Sequence, residues 1–175
     1  METKDHLLLA AALAKELQLS GGKRMAFIFG NLEPDINPLS YLSPSCKKKF
    51  DGHSYQCRRG FIEKILKGAS CKSCVDWYRA GVAVHYIADS FTRPHNESFN
   101  YRWKDHVAYE HRLHQKIQGQ MKELKKLNYE VGDLTVPGWY EEQHGRYLQG
   151  SKGCVEDCEY IIQMTAKFCE HLANL

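Results

Sequence analysis

The segment at residues 75–92, VDWYRAGVAVHYIADSFT, constrains the fold more than any other part of the chain. Tyr78, Val82, His85 and Asp89 follow one another at helical spacing, and Val84, Ile87 and Phe91 make the remaining face apolar as well. A helix that is apolar all round belongs in a core, and it carries His85 and Asp89 in with it. An ionised aspartate in such surroundings costs on the order of several kcal/mol unless a cation or dense hydrogen bonding compensates it. Positive charge is therefore expected beside Asp89. The plainer alternatives are a His85–Asp89 hydrogen bond or an i,i+4 salt bridge from Asp89 to Arg93, although Pro94 disfavours helical geometry at Arg93.

Helical periodicity dominates elsewhere too, and no alternating apolar and polar run is long enough to support a strand. The class expected is all-α, a compact multi-helix bundle. Helices are predicted at about residues 6–17, 55–67, 75–92, 103–127 and 154–173, with shorter ones at about 23–29 and 140–148. A chain of 175 residues with 43% hydrophobic content suits a single domain over 1–175 with one core. Between Gly30 and Gly52, three prolines and several turn formers predict a long irregular loop, and such loops usually carry function.

A second helix repeats the first pattern. His106, Glu110, Leu113, Ile117, Met121 and Leu124 are spaced by four, three, four, four and three residues, so they share one stripe. An imidazole and a carboxylate four residues apart on an inward face make a two-pronged metal platform. The competing reading is a solvated helix start, the end that glutamate favours. Between the two helices TRPHN puts His95 on a short loop, while Asp35 lies in the proline-rich loop, His53 follows Gly52, and His6 opens the first stripe. Each alone is ordinarily a turn residue, a solvated histidine or a helix start. Their coincidence with two inward His/carboxylate pairs turns the balance towards a metal site. His111, His114, His144 and His171 stay outside the set, His114 being the nearest to an auxiliary ligand.

A net charge of +3 gives a mildly basic surface that favours anionic substrates but falls short of dedicated nucleic-acid binding. The apolar run at residues 7–14 raises the question of a signal peptide, yet Glu2 and Asp5 offset Lys4, and Lys15 and Glu16 close the run. A cytoplasmic protein is expected, with secretion left open, and no stretch approaches transmembrane length. Seven cysteines form an odd set, read as reduced thiols. A zinc knuckle from Cys71 and Cys74 with Cys154 and Cys158 is a weak further reading.

The order of these residues resembles the zinc-dependent phospholipase C family, whose fold is shared with the S1/P1 single-strand nucleases. HYIADSFTRPHN is similar to the family's core motif, followed downstream by H-x-x-x-E. FIFGNLEPDIN resembles the segment carrying an aspartate ligand, GHSYQ supplies a further histidine, and His6 fits the histidine of the first helix. The likeness covers about residues 5–114, and the later helices are expected to complete the bundle.

The resemblance implies one zinc held by Asp35, His53, His85 and Asp89, a second held by His95, His106 and Glu110, and a third using His6 and sharing Asp89. In secreted relatives the third also takes an N-terminal tryptophan, which this sequence lacks at that position. Two or three Zn2+ ions are thus expected, with a zinc-bound water as nucleophile and Asp35 also as general base. The implied activity is hydrolysis of phosphate esters: phospholipid or another phosphodiester as substrate, with transient contact to a membrane surface. The alternative enzyme is a nuclease or 3′-nucleotidase, for which Tyr55, Tyr86, Phe91, Phe99, Tyr101 and Trp103 are candidate base-stacking aromatics and nucleic acid would be the partner. A non-catalytic metal-stabilised binding module is the reading from another class, although closed structural sites use four ligands, often cysteine.

Overall fold

A computed structural model of the chain describes residues 1–42, 52–68, 71–96, 103–121, 138–150 and 153–174. Among these residues there are seven α-helices and no strand, as the periodicity requires. They are α1 (Thr3–Glu16), α2 (Gly21–Ile36), α3 (Tyr55–Gly68), α4 (Cys74–Ser90), α5 (Trp103–Gln120), α6 (Trp139–Gly150) and α7 (Cys154–Ala173), with 3₁₀ turns at Pro38–Tyr41 and Arg93–His95.

α4 is the hub, packed by α1, α2, α3 and α7. It starts at a capping box, where the Asp76 amide donates to Ser73 Oγ at 3.2 Å and the Ser73 amide donates to the Asp76 carboxylate at 2.9 Å. From Ala83 through Ser90 every residue is buried, so burial does not alternate around the helix. α5 and α7 pack together behind it, where the Tyr109 hydroxyl donates to the buried Asp157.

The helix expected at about residues 23–29 is longer and takes up the start of the expected loop, of which residues 43–51 lie outside those described. α2 continues to Ile36 in spite of Pro34, which forgoes only the bond to the Gly30 carbonyl in the helix's closing turns. Phe27, Gly30, Asn31 and Pro34 are its buried residues, an i, i+3, i+4, i+7 face laid against α4. Gly30 and Pro34, which read as breakers in isolation, are therefore packing residues. At Gly30 an added Cβ would lie 2.1 Å from the Tyr78 carbonyl oxygen, so only glycine admits this approach of the helices. Asp35 consequently rides on the last turn of a helix, not in a loop.

The other expected helices lie within one to three residues of the observed ends, except that residues 122–127 of the expected fifth helix fall outside those described. Cys57 is disulfide-bonded, which corrects the expectation of reduced thiols throughout. Spacing in the sequence carries no information on which sulfurs approach in space. Cys71, Cys74, Cys154, Cys158 and Cys169 are free thiols, and among the described residues no metal-capable group includes a cysteine. No helix of the described residues is long and apolar enough to cross a membrane.

Candidate metal centre

The eight residues singled out by sequence converge on one place. α1 brings His6, the end of α2 brings Asp35, and α4 brings His85 and Asp89. The 3₁₀ turn after α4 brings His95, and α5 brings His106 and Glu110. His53 enters just after Gly52, where a Cβ would lie 2.2 Å from the Ser40 carbonyl oxygen, so glycine lets this strand of chain press against the 3₁₀ turn. The eight fall into four overlapping groups: His6, His85 and Asp89; Asp35, His53 and His85; His53, Asp89 and His95; and His95, His106 and Glu110. Within each group the ligand-type atoms lie within 4.8 Å of one another.

Asp89 is the centre. Its Oδ1 lies 3.2 Å from His6 Nε2, and its Oδ2 lies 3.1 Å from His53 Nδ1, 3.2 Å from His85 Nε2 and 3.8 Å from His95 Nε2. The Met1 amino group sits 2.8 Å from Asp89 Oδ1 and 3.2 Å from Glu110 Oε1. Burial opposes a charge on that amine, but Asp89 and Glu110 hold its pKa up at about 11. Burial also opposes ionisation of Asp89, yet the positive charge beside it, the Met1 amine at 2.8 Å included, holds its carboxyl well below the usual range. The spot between the two carboxylates therefore favours a cation.

Hydrogen bonds behind the imidazoles fix which nitrogen faces inward. His85 Nδ1 lies 2.8 Å from the Asn31 carbonyl oxygen, which only accepts, so Nδ1 carries the hydrogen and Nε2 presents a lone pair. Ser40 Oγ donates its single hydrogen to the Pro34 carbonyl at 2.5 Å and can only accept from His53 Nε2 at 3.0 Å, which leaves the lone pair on His53 Nδ1. Thr92 Oγ1 likewise donates to the Asp89 carbonyl at 2.7 Å and accepts from His95 Nδ1 at 2.7 Å, turning the His95 Nε2 lone pair inward. Metal-ligating histidines characteristically have such a partner on the far nitrogen.

With those hydrogens assigned, His53 Nδ1 and His85 Nε2 face each other as two lone pairs 3.2 Å apart. Asp89 Oδ2 and Asp35 Oδ1 stand 3.1 to 3.9 Å from them. Four acceptors converge with no hydrogen among them, an arrangement that calls for a cation. Burial lowers His6 to about 4 and His95 to about 3, so both rings are neutral at pH 7, as ligation requires. Glu110 stays ionised: burial would raise it, but the His106 hydrogen bond at 3.1 Å and the Met1 amine bring it to about 2. The donor set, imidazole nitrogen and carboxylate oxygen without sulfur, fits zinc at sites that keep positions open.

Sequence reasoning missed Ser40, Thr92 and the Asn31 carbonyl, which set the tautomers. It also missed Tyr41, whose ring stacks on His53 with centroids 4.2 Å apart. Of the histidines left outside the set, His114 belongs to a further group of this kind, with Glu2 and Asp5. His111 is exposed, His114 pairs with the buried Asp5 at 2.5 Å, and His144 bonds Asn96 at 2.6 Å.

Residues 5–158 match the family described as zinc dependent phospholipase C. No curated protein and no solved structure matches the chain. The matched stretch spans all eight converging residues and most of the chain: this protein belongs to the zinc dependent phospholipase C family.

Proposed function

We propose that the chain is a zinc-dependent phosphoesterase of the phospholipase C kind, cleaving phospholipid to diacylglycerol and a phosphorylated head group. The observation that carries this reading is the set of inward lone pairs on His53, His85 and His95, each enforced from behind, around the ionised Asp89. Asp35, His53, His85 and Asp89 would hold one ion, His95, His106 and Glu110 a second, and His6 with Asp89 a third. Zinc there supplies Lewis acidity, which acidifies water at neutral pH and offsets charge building on phosphate oxygens.

The chain's own part is orientation and proton handling. Asp35 has one oxygen turned to His53 and His85, while its Oδ2 is buried without a hydrogen-bond partner among the described residues. That second oxygen is the atom to take the proton of the attacking water. A closed structural site has four donors, whereas His95, His106 and Glu110 would give the second ion only three and leave a position open, which favours catalysis over a metal-stabilised binding module.

The nuclease alternative needs exposed aromatics for base stacking. Tyr55, Tyr86 and Phe91 are buried in the core, Phe99 and Tyr101 lie outside the described residues, and so does the side chain of Trp103. The test is hydrolysis of a phosphatidylcholine and of a single-stranded oligonucleotide by the protein before and after EDTA or 1,10-phenanthroline. Lipid hydrolysis that vanishes with the metal and returns with zinc is expected, together with a lower melting temperature in the metal-free state. Undiminished hydrolysis after verified metal removal would overturn the mechanism, and preferred cleavage of the oligonucleotide would overturn the substrate.

A further inference from the structure

The outward side of α2 and the 3₁₀ turn after it carry an apolar surface that the proposed chemistry does not use. Met25, Phe29 and Ile36 share one face of the helix and are 67%, 52% and 61% exposed, and Leu39 and Leu42 are 69% and 47% exposed. Isolated exposed apolar residues are ordinary, but five large ones on consecutive elements form a patch that calls for an occupant. Lys23 and Arg24 are exposed at its start, and the acidic residues between Gly21 and Leu42, Glu33 and Asp35, are both partly buried. Apolar bulk flanked by cations and free of exposed acid is the composition of a helix that lies in a lipid head-group layer.

The patch also adjoins the metal-capable cluster. Ile36 follows Asp35 directly, and Leu39 and Leu42 bracket Ser40 and Tyr41, the residues that bond and stack on His53. We propose that this face seats the protein on a phospholipid surface, so that the substrate is taken from an assembled lipid layer instead of from solution. The proposal rests on the phospholipase reading above and names where its substrate is met. A second copy of the chain suits the face poorly, because a two-fold contact would bury the same cationic rim twice with no exposed acid on it to answer.

The experiment is flotation of the zinc-loaded protein with phosphatidylcholine vesicles, with and without phosphatidylglycerol. The parent protein should float, more strongly when phosphatidylglycerol is present. Met25→Asp with Phe29→Asp should lower the bound fraction by about tenfold or more. Val155→Asp, which alters an exposed apolar residue on α7, should leave it unchanged. Metal content and melting temperature are measured for each variant, so a loss of binding is not mistaken for a loss of fold. A parent protein that does not float, or a double variant that floats equally well, overturns the proposal. A parent dimer that the double variant converts to monomer also overturns it, since the occupant is then a second copy. Hydrolysis of a water-soluble short-chain phosphodiester, followed alongside, reports on the chemistry alone, so the docking surface and the enzyme reading fail separately.

Discussion

Gly30 and Gly81 make the crossing of α2 over α4, and neither leaves room for a side chain: a Cβ at either would lie 2.1 Å from a backbone carbonyl oxygen of the other helix. The same contact brings the Asn31 amide to 2.9 Å from the point a Gly81 Cβ would occupy. Since the Asn31 carbonyl orients His85, the packing of two helices and the tautomer of a candidate ligand rest on one contact.

Gly81→Ala should therefore cost about 3 kcal/mol or more, because backbone cannot yield as a flexible side chain does. It should also weaken zinc binding by shifting Asn31. Gly60, in α3, has nothing within 4 Å of its added Cβ, so Gly60→Ala should be neutral or stabilise by up to about 1 kcal/mol. Denaturant midpoints of both variants, with zinc content, check the contrast. Equal stability of the two would mean that the crossing is looser than described.

Thr92 tests the hydrogen bonds behind the ligands. Thr92→Val keeps the shape but removes the oxygen that accepts from His95 Nδ1, which frees that ring to rotate or change tautomer. Zinc affinity should fall about 10- to 100-fold while the fold is retained. Competition against a chromophoric chelator measures it. Unaltered affinity would show that Thr92 only caps the end of α4.

Much of the candidate site is legible in the sequence because a polar ligand type on an apolar stripe is costly and so conspicuous. His85 and Asp89 betray themselves through Val84, Ile87 and Phe91, and His106 and Glu110 through Leu113 and Ile117. What stays illegible has a physical cause. The Asn31 contribution is a main-chain carbonyl, which no side chain encodes. Ser40 and Thr92 are common residues whose role depends on a donor already spent on a neighbouring carbonyl. Gly30 and Pro34 carry strong local turn preferences, and packing on α4 overrides them.

His144 supplies a pH dependence separate from the candidate ligands. Its ring lies flat on Tyr55, with centroids 3.4 Å apart, and its Nε2 donates to Asn96 Oδ1 at 2.6 Å. Burial lowers its pKa from 6.5 to about 4, so the unfolded chain takes up this proton at a pH where the native one does not. The contribution is intact above about pH 6.5, shrinks as pH falls towards 4, and levels off below that, a loss on the order of 3 kcal/mol by linkage. Urea midpoints from pH 7 to 4 should decline less steeply in His144→Gln than in the parent protein. Identical slopes would place the protonation elsewhere.

Asp89→Asn separates a metal centre from a cage of imidazoles around a buried carboxylate. The side chain keeps its volume and loses its charge, and its two oxygens serve different neighbours, His6 on one side and His53 and His85 on the other. If zinc is held there, the substitution should lower occupancy beside both His6 and His53 while largely sparing His95, His106 and Glu110, which form a group without Asp89. Zinc per chain should then fall by at least one ion with the second site retained. Without metal, the loss would instead appear as destabilisation alone, because a buried carboxylate facing imidazoles would have been replaced by an amide. Zinc stoichiometry and melting temperature, measured together on Asp89→Asn and the parent protein, distinguish the two outcomes. An undiminished zinc count with a lowered melting temperature would remove Asp89 from the ligand set, and with it the carboxylate that the His6 group shares with the His53 and His95 group.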